Sequence, residues 1–136
     1  MVTSNEEIDM KFAVYQIQLT AAQRKTVNES GDFDSVPAFA AKTKMSMDFS
    51  GNKIGGLASD AFDAGYYTHV ANITAEDYND CFEVGNIGPV SSIEFTGKGK
   101  MSSLSVGDII VHEDGTMAVI APMGFVAFSH NTKAAA

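Results

Sequence analysis

The sequence predicts an α+β fold: a mixed, mostly antiparallel sheet with small helices packed on one face and a β-hairpin at the C-terminal end. Three observations carry this. Apolar runs at 108–111 and 117–121 flank the turn sequence His112-Glu113-Asp114-Gly115-Thr116. Residues 11–19 and 66–73 alternate with period two, the mark of strands. Between the extended segments lie short stretches with helix-start chemistry, which place small helices among the strands.

Taken in order, 1–9 reads as a disordered leader and 10–129 as one domain, followed by a tail over 130–136 whose Ala134-Ala135-Ala136 resembles a cloning residue. Ala13, Tyr15, Ile17 and Leu19 share one face of the first strand, with Gln16 and Gln18 on the wet face. Thr20-Ala21-Ala22-Gln23 has the form of a capping box, so a helix should run from there to near Glu29. Residues 31–35 read as a loop. Pro37 suits a first helical turn, giving a short helix over 37–42, and the alternation of Met45, Met47 and Phe49 predicts a strand over 43–49.

A helix is expected over 57–63, closed by Gly65. The next strand should set Tyr66, Thr68, Val70 and Asn72 on one face and Tyr67, His69, Ala71 and Ile73 on the other. Thr74 to Asp77 opens another helix, whose inner stripe is Tyr78, Cys81, Phe82 and Gly85. Asn86 to Pro89 stops it, and 92–95 is a short strand. In the terminal hairpin Asp114-Gly115 supplies the positive φ of a tight connection, Pro122 ends the second strand, and Gly124 permits a bend before 125–128 resumes extended structure.

A chain of 136 residues with 45% hydrophobic and 19% charged residues can bury one core. No apolar run reaches the roughly 18 residues of a membrane span. The net charge of −8 opposes contact with a nucleic-acid backbone, although Lys42, Lys44, Lys98 and Lys100 could form a local basic patch. Cys81 is the single cysteine, which fits a reducing compartment. It sits on an apolar stripe, where it reads as a small hydrophobe rather than a nucleophile.

No metal site is expected. His69, His112 and His130 are far apart in sequence, and Asp108 and His112 lie about 13 Å apart along a strand. Two segments offer ligand chemistry. Asn52, Lys53, Gly55 and Gly56, ahead of a helix, could cradle a small anion on backbone amides, or simply connect two elements. Tyr66, Tyr67 and His69 could recognise a ring by stacking and hydrogen bonding, or form a half-buried strand with its polar tips in water. If the chain is an enzyme, Tyr67, His69, Glu76 and Asp108 are its acid–base candidates, in a site at a subunit interface. No cofactor is called for. Short strands and Met45, Met47, Met117 and Met123 offer surface for a homo-oligomer, or ordinary core filling.

Asp77-Tyr78, Gly85-Asn86-Ile87, the run Ser103-Leu104-Ser105-Val106-Gly107-Asp108-Ile109-Ile110-Val111, Asp114-Gly115 and Gly124-Phe125 follow one another in a recognisable order. On these residues the C-terminal half, 61–128, resembles the YodL-like domain family of phages and mobile elements, whose stretch reads S-L-S-V-[SG]-D-V-[IV] before a closing G-F. Residues 12–49 lie outside the resemblance, and Met123 stands where a Ser or aromatic residue is common. The resemblance implies a phage or mobile-element origin, a host-cytoplasm location and company with counter-defence proteins, with no established activity. The function expected is that of an accessory protein in host takeover or counter-defence, binding either a host protein or a nucleotide-like small molecule. A small enzyme acting on a nucleoside-containing metabolite is the second reading, and a structural virion component the third.

Overall fold

The structure, a computed structural model, describes residues 10–30 and 36–128. The leader, the loop over 31–35, Ser129 and the tail over 130–136 lie outside the described residues. The strands are β1 (Met10–Ile17), β2 (Tyr67–Ala75), β3 (Ile93–Phe95), β4 (Ile109–His112), β5 (Met117–Ile120) and β6 (Phe125–Phe128). The helices are α1 (Ala21–Ser30), α2 (Pro37–Ser46), α3 (Ile54–Asp63) and α4 (Tyr78–Asn86), with a 3₁₀ turn at Val90–Ser92. All strand pairs are antiparallel, in the order β3-β2-β1-β4-β5-β6. The α+β class and the terminal hairpin are therefore as the sequence predicts.

β1 sits in the middle of this sheet, between β2 and β4. Residues 61–128 contain both of its neighbours but not the strand that joins them. The N-terminal segment thus completes the sheet rather than adding a separate layer.

The helices cover both faces of the sheet, not one. Consecutive strand residues point to opposite faces. Ile110 packs with Phe12, Val14, Ile73, Cys81 and Val84, whereas Ile109 packs with Ile17, Met45, Ile54, Ala58 and Val119. The first cluster lies under α4 and the second under α2 and α3. The physical reason is that the central strands are apolar on both sides, so each side needs a cover.

Three local expectations are corrected. Residues 43–49 do not form a strand; α2 continues to Ser46. Ala38, Ala41 and Met45 recur at i, i+3, i+7 and pack inward, while Met47 and Phe49 are 65% and 71% exposed. A run of three alternating residues is too short to separate the two periods. Second, α3 begins at Ile54, earlier than expected, because Ile54, Ala58 and Ala61 form its buried stripe. Gly55 lets that helix approach β6 closely: a Cβ there would stand 3.3 Å from Cβ of Phe128.

The third correction concerns β2. Val14 pairs with Ala71 but Tyr15 pairs with His69, so Val70 is an extra residue in a bulge. The bulge resets the alternation. Tyr67 packs on the α2–α3 face, whereas Ala71 and Ile73 pack under α4. The strand also runs on through Thr74 and Ala75, which pair with Lys11 and Met10. α4 therefore starts at Tyr78, capped by the Asp77 carboxylate, which accepts the Asp80 amide at 2.8 Å. Its predicted inner stripe holds: Tyr78, Cys81 and Phe82 join the core, and Gly85 lies against Leu104.

The terminal hairpin closes through the His112 amide, which donates to the Thr116 carbonyl at 2.8 Å, with Gly115 at φ +95°. β5 ends before Pro122, and the Ala121 amide donates to the Gly124 carbonyl at 2.9 Å, so β6 folds back as the sheet edge.

Candidate functional site

Of the residues with catalytic potential, the fold brings Tyr67 near Asp108 and sets His69 on the same face as Tyr67. Tyr67 Oη donates to the Gly107 carbonyl at 2.5 Å and contacts Met45 Sδ at 3.6 Å. Burial, with the Asp108 charge adding to it, pushes the Tyr67 phenol well above its ordinary range, so it stays protonated. His69 stacks on Tyr15 at 4.9 Å between centroids, and its Nε2 lies 2.8 Å from Asn72 Oδ1. Glu76 is exposed beyond the far end of β2, roughly 30 Å from Tyr67 by strand rise. Tyr66 lies apart from this cluster, in a hollow of about 480 Å³ between α2 and α3 with Lys44 and Asp60.

The glycine segment before α3 is organised by an internal anion. Asp48 Oδ2 accepts the amides of Lys53 and Ile54, each at 2.8 Å, and Oδ1 accepts the Ser50 hydroxyl at 2.7 Å. The Asn52 amide donates to Ser50 Oγ at 3.1 Å, and Gly51 takes φ +76° to close the turn. These bonds hold the Asp48 carboxyl below its usual range. The amides that an outside phosphate would seek are therefore already engaged by a side chain five residues upstream. Gly55 is packed against β6, and Gly56 faces open space.

A different concavity opens at the end of β1. It is a cleft of about 660 Å³ lined by Ile17, Gln18, Leu19, Arg24, Phe39, Lys42, Lys100, Met101 and Ser102. Its walls come from α1, α2 and the segment that precedes β4. The capping box fixes the start of α1 as predicted: Thr20 Oγ1 accepts the Gln23 amide at 3.0 Å and Gln23 Oε1 accepts the Thr20 amide at 2.9 Å. Arg24 Nη1 donates to the Leu19 carbonyl at 2.7 Å, which sets the guanidinium at the rim.

The opposite wall is tied to β1 by two glutamine amides. Gln18 Nε2 donates to the Lys100 carbonyl at 2.5 Å. Gln16 is buried rather than wet: its Nε2 donates to the Ser102 carbonyl at 2.9 Å and its Oε1 accepts the Ser102 amide at 3.0 Å. The same Nε2 donates to Asp108 Oδ2 at 3.0 Å, and the Ser105 amide donates to that oxygen at 2.9 Å. Asp108 is 3% exposed, and burial raises its carboxyl to about 6 despite these bonds and the field of Lys42.

The basic patch foreseen in the sequence is thus split. Lys42 and Lys100 meet at the cleft, while Lys44 turns to the hollow beside Tyr66. Arg24 and the apolar Ile17 and Leu19 carry no sequence signal for a site, since each is legible only as part of a strand end or a helix start. Cys81 is buried in the core, where desolvation, with Asp80 adding to it, pushes its thiol up to about 12. Among the described residues no group of three or more His, Cys, Asp and Glu is placed to hold a metal ion, and no helix is long and apolar enough to cross a membrane. No protein family, curated protein or solved structure matches the chain, so the site rests on its own geometry.

Proposed function

We propose that the protein works by binding rather than by catalysis, as an accessory factor of a phage or mobile element in host takeover or counter-defence. The observation that carries the binding part is the state of the acid–base groups. Tyr67 is spent on a backbone carbonyl, His69 on Asn72 and the Tyr15 ring, Asp108 is buried on Gln16 and the Ser105 amide, and Glu76 is remote from Tyr67 and His69. General acid–base work needs such groups to face a common reacting atom. The phage setting is supported by the resemblance of 61–128 alone. Of the two partner classes, a host protein and a nucleotide-like small molecule, the basic cleft on an acidic chain favours the small molecule.

Native mass spectrometry of the protein purified from a bacterial host tests this reading. A retained metabolite of nucleotide size is the expected result. A stoichiometric host polypeptide would replace the small molecule with a protein partner. Turnover of a metabolite pool that is lost on His69→Ala, in a variant that still folds, would overturn the non-catalytic reading.

A further inference from the structure

Resting on that binding reading, we infer that the cleft at the end of β1 is the ligand site and that it takes an organic phosphate with an apolar body. Three cationic side chains, Arg24, Lys42 and Lys100, converge on it from three separate segments. They do so on a chain of net charge −8, with only nine Lys and Arg residues in all. Chance placement on an acidic surface would intersperse carboxylates, and none lines this cleft among the described residues. Nor is any of the three in an ion pair among the described residues. Arg24 spends one N–H on Leu19, which orients the fork and leaves further donors for a phosphate.

The floor has the opposite character. Ile17, Leu19 and Met101 present aliphatic surface, so the cleft offers a charged rim around an apolar base. That combination recognises an amphipathic anion and discriminates against both halves taken alone. Its volume of about 660 Å³ falls within the usual range for small-ligand sites. The walls are held in place before binding. Gln16 and Gln18 fasten residues 100 and 102 to the β1 end, and the capping box fixes α1, so little ordering is left to oppose association. The Asp48 loop is the counter-example within the same molecule: an anion-seeking set of amides there is already filled from within.

Isothermal titration calorimetry of the full chain with AMP, adenosine and inorganic phosphate tests the inference. AMP should bind, with adenosine and phosphate each weaker by about tenfold or more, since each lacks one set of contacts. The double variant Lys42→Gln/Lys100→Gln should weaken AMP about tenfold and leave adenosine unchanged, while Lys42→Arg/Lys100→Arg restores AMP. Leu19→Ala should weaken AMP and adenosine alike, by about fivefold, and leave phosphate unchanged. Phosphate binding as tightly as AMP, or AMP affinity untouched by the double glutamine variant, would overturn the assignment. If AMP fails to bind and the species retained in native mass spectrometry is kept equally by the double glutamine variant, the cleft is overturned and the binding reading stands. If AMP binds and is consumed, the cleft stands and the non-catalytic reading falls.

Discussion

Asp48 and Asp108 do the same structural job at two places, and their carboxyls shift in opposite directions. Each carboxylate accepts backbone amides of a turn that contains a serine and a positive-φ glycine, Ser50-Gly51 in one case and Ser105 to Gly107 in the other. Asp48 is partly exposed and gathers two amides and a hydroxyl, so its charge is held and its pKa falls. Asp108 is buried with an amide and the Gln16 side chain as donors, so desolvation wins and its pKa rises to about 6. Donor count and burial compete, and the outcome decides what a region can still bind. The Asp48 turn is closed to anions. The Asp108 turn, through Gln16, supports the wall of a cleft that carries cations.

The largest expected effect tests the buried member. A carboxyl raised from 3.8 to about 6 on folding contributes stability that is fully present below the unfolded value and lost as pH rises through about 6. Asp108→Asn removes this linkage. The variant should gain on the wild type by roughly 2–3 kcal/mol between pH 4 and pH 8, read as the pH dependence of urea midpoints. Parallel pH profiles for the two proteins would show that Asp108 is not destabilised by burial.

Next in size is Gln16→Ala, which strips a donor from a buried carboxylate and both partners from Ser102. It should cost about 2 kcal/mol in chemical denaturation and loosen residues 100–102, seen as faster amide exchange at Ser102. Normal exchange there would mean that the cleft wall stands without the amide.

Asp48→Ala should lower Tm by about 4 °C, since α3 loses its N-terminal anion. Inorganic phosphate should restore part of this loss in the variant and do nothing at this turn in the wild type. A variant insensitive to phosphate would break the claim that Asp48 stands where an outside anion would sit. The smallest effect belongs to the cleft cations: Lys42→Gln/Lys100→Gln should change folding stability by less than about 0.5 kcal/mol. A larger loss would make these lysines structural and remove their freedom to hold a ligand.

Much of the fold was legible because its signals are local. The capping box at Thr20 and Gln23, the Asp114-Gly115 turn, the stop at Pro122 and the stripe Tyr78-Cys81-Phe82 each depend on residues within a few positions of one another. The segments that depart from their local signals share a cause. The short alternation Met45-Met47-Phe49 carries too few residues to distinguish a strand from the end of a helix, and only contact with the core selects Met45. The bulge at Val70 is invisible along β2, because it is a property of pairing with β1.

The candidate site divides in the same way. Residue order alone sets the apolar periods, the turn chemistry, the acidic balance and a short roster of lysines that a ligand could use. Folding of the whole chain is what lets Asp48 fill the glycine segment, spends Tyr67 and His69 internally, and brings Lys42 and Lys100 to the same cleft as Arg24. Helix caps and turns are set by bonds between near neighbours, so they are written in order along the chain. A cleft is set by which distant segments share a wall, and here that follows from β1 lying at the centre of the sheet, with Gln16 and Gln18 reaching residues more than 80 positions away.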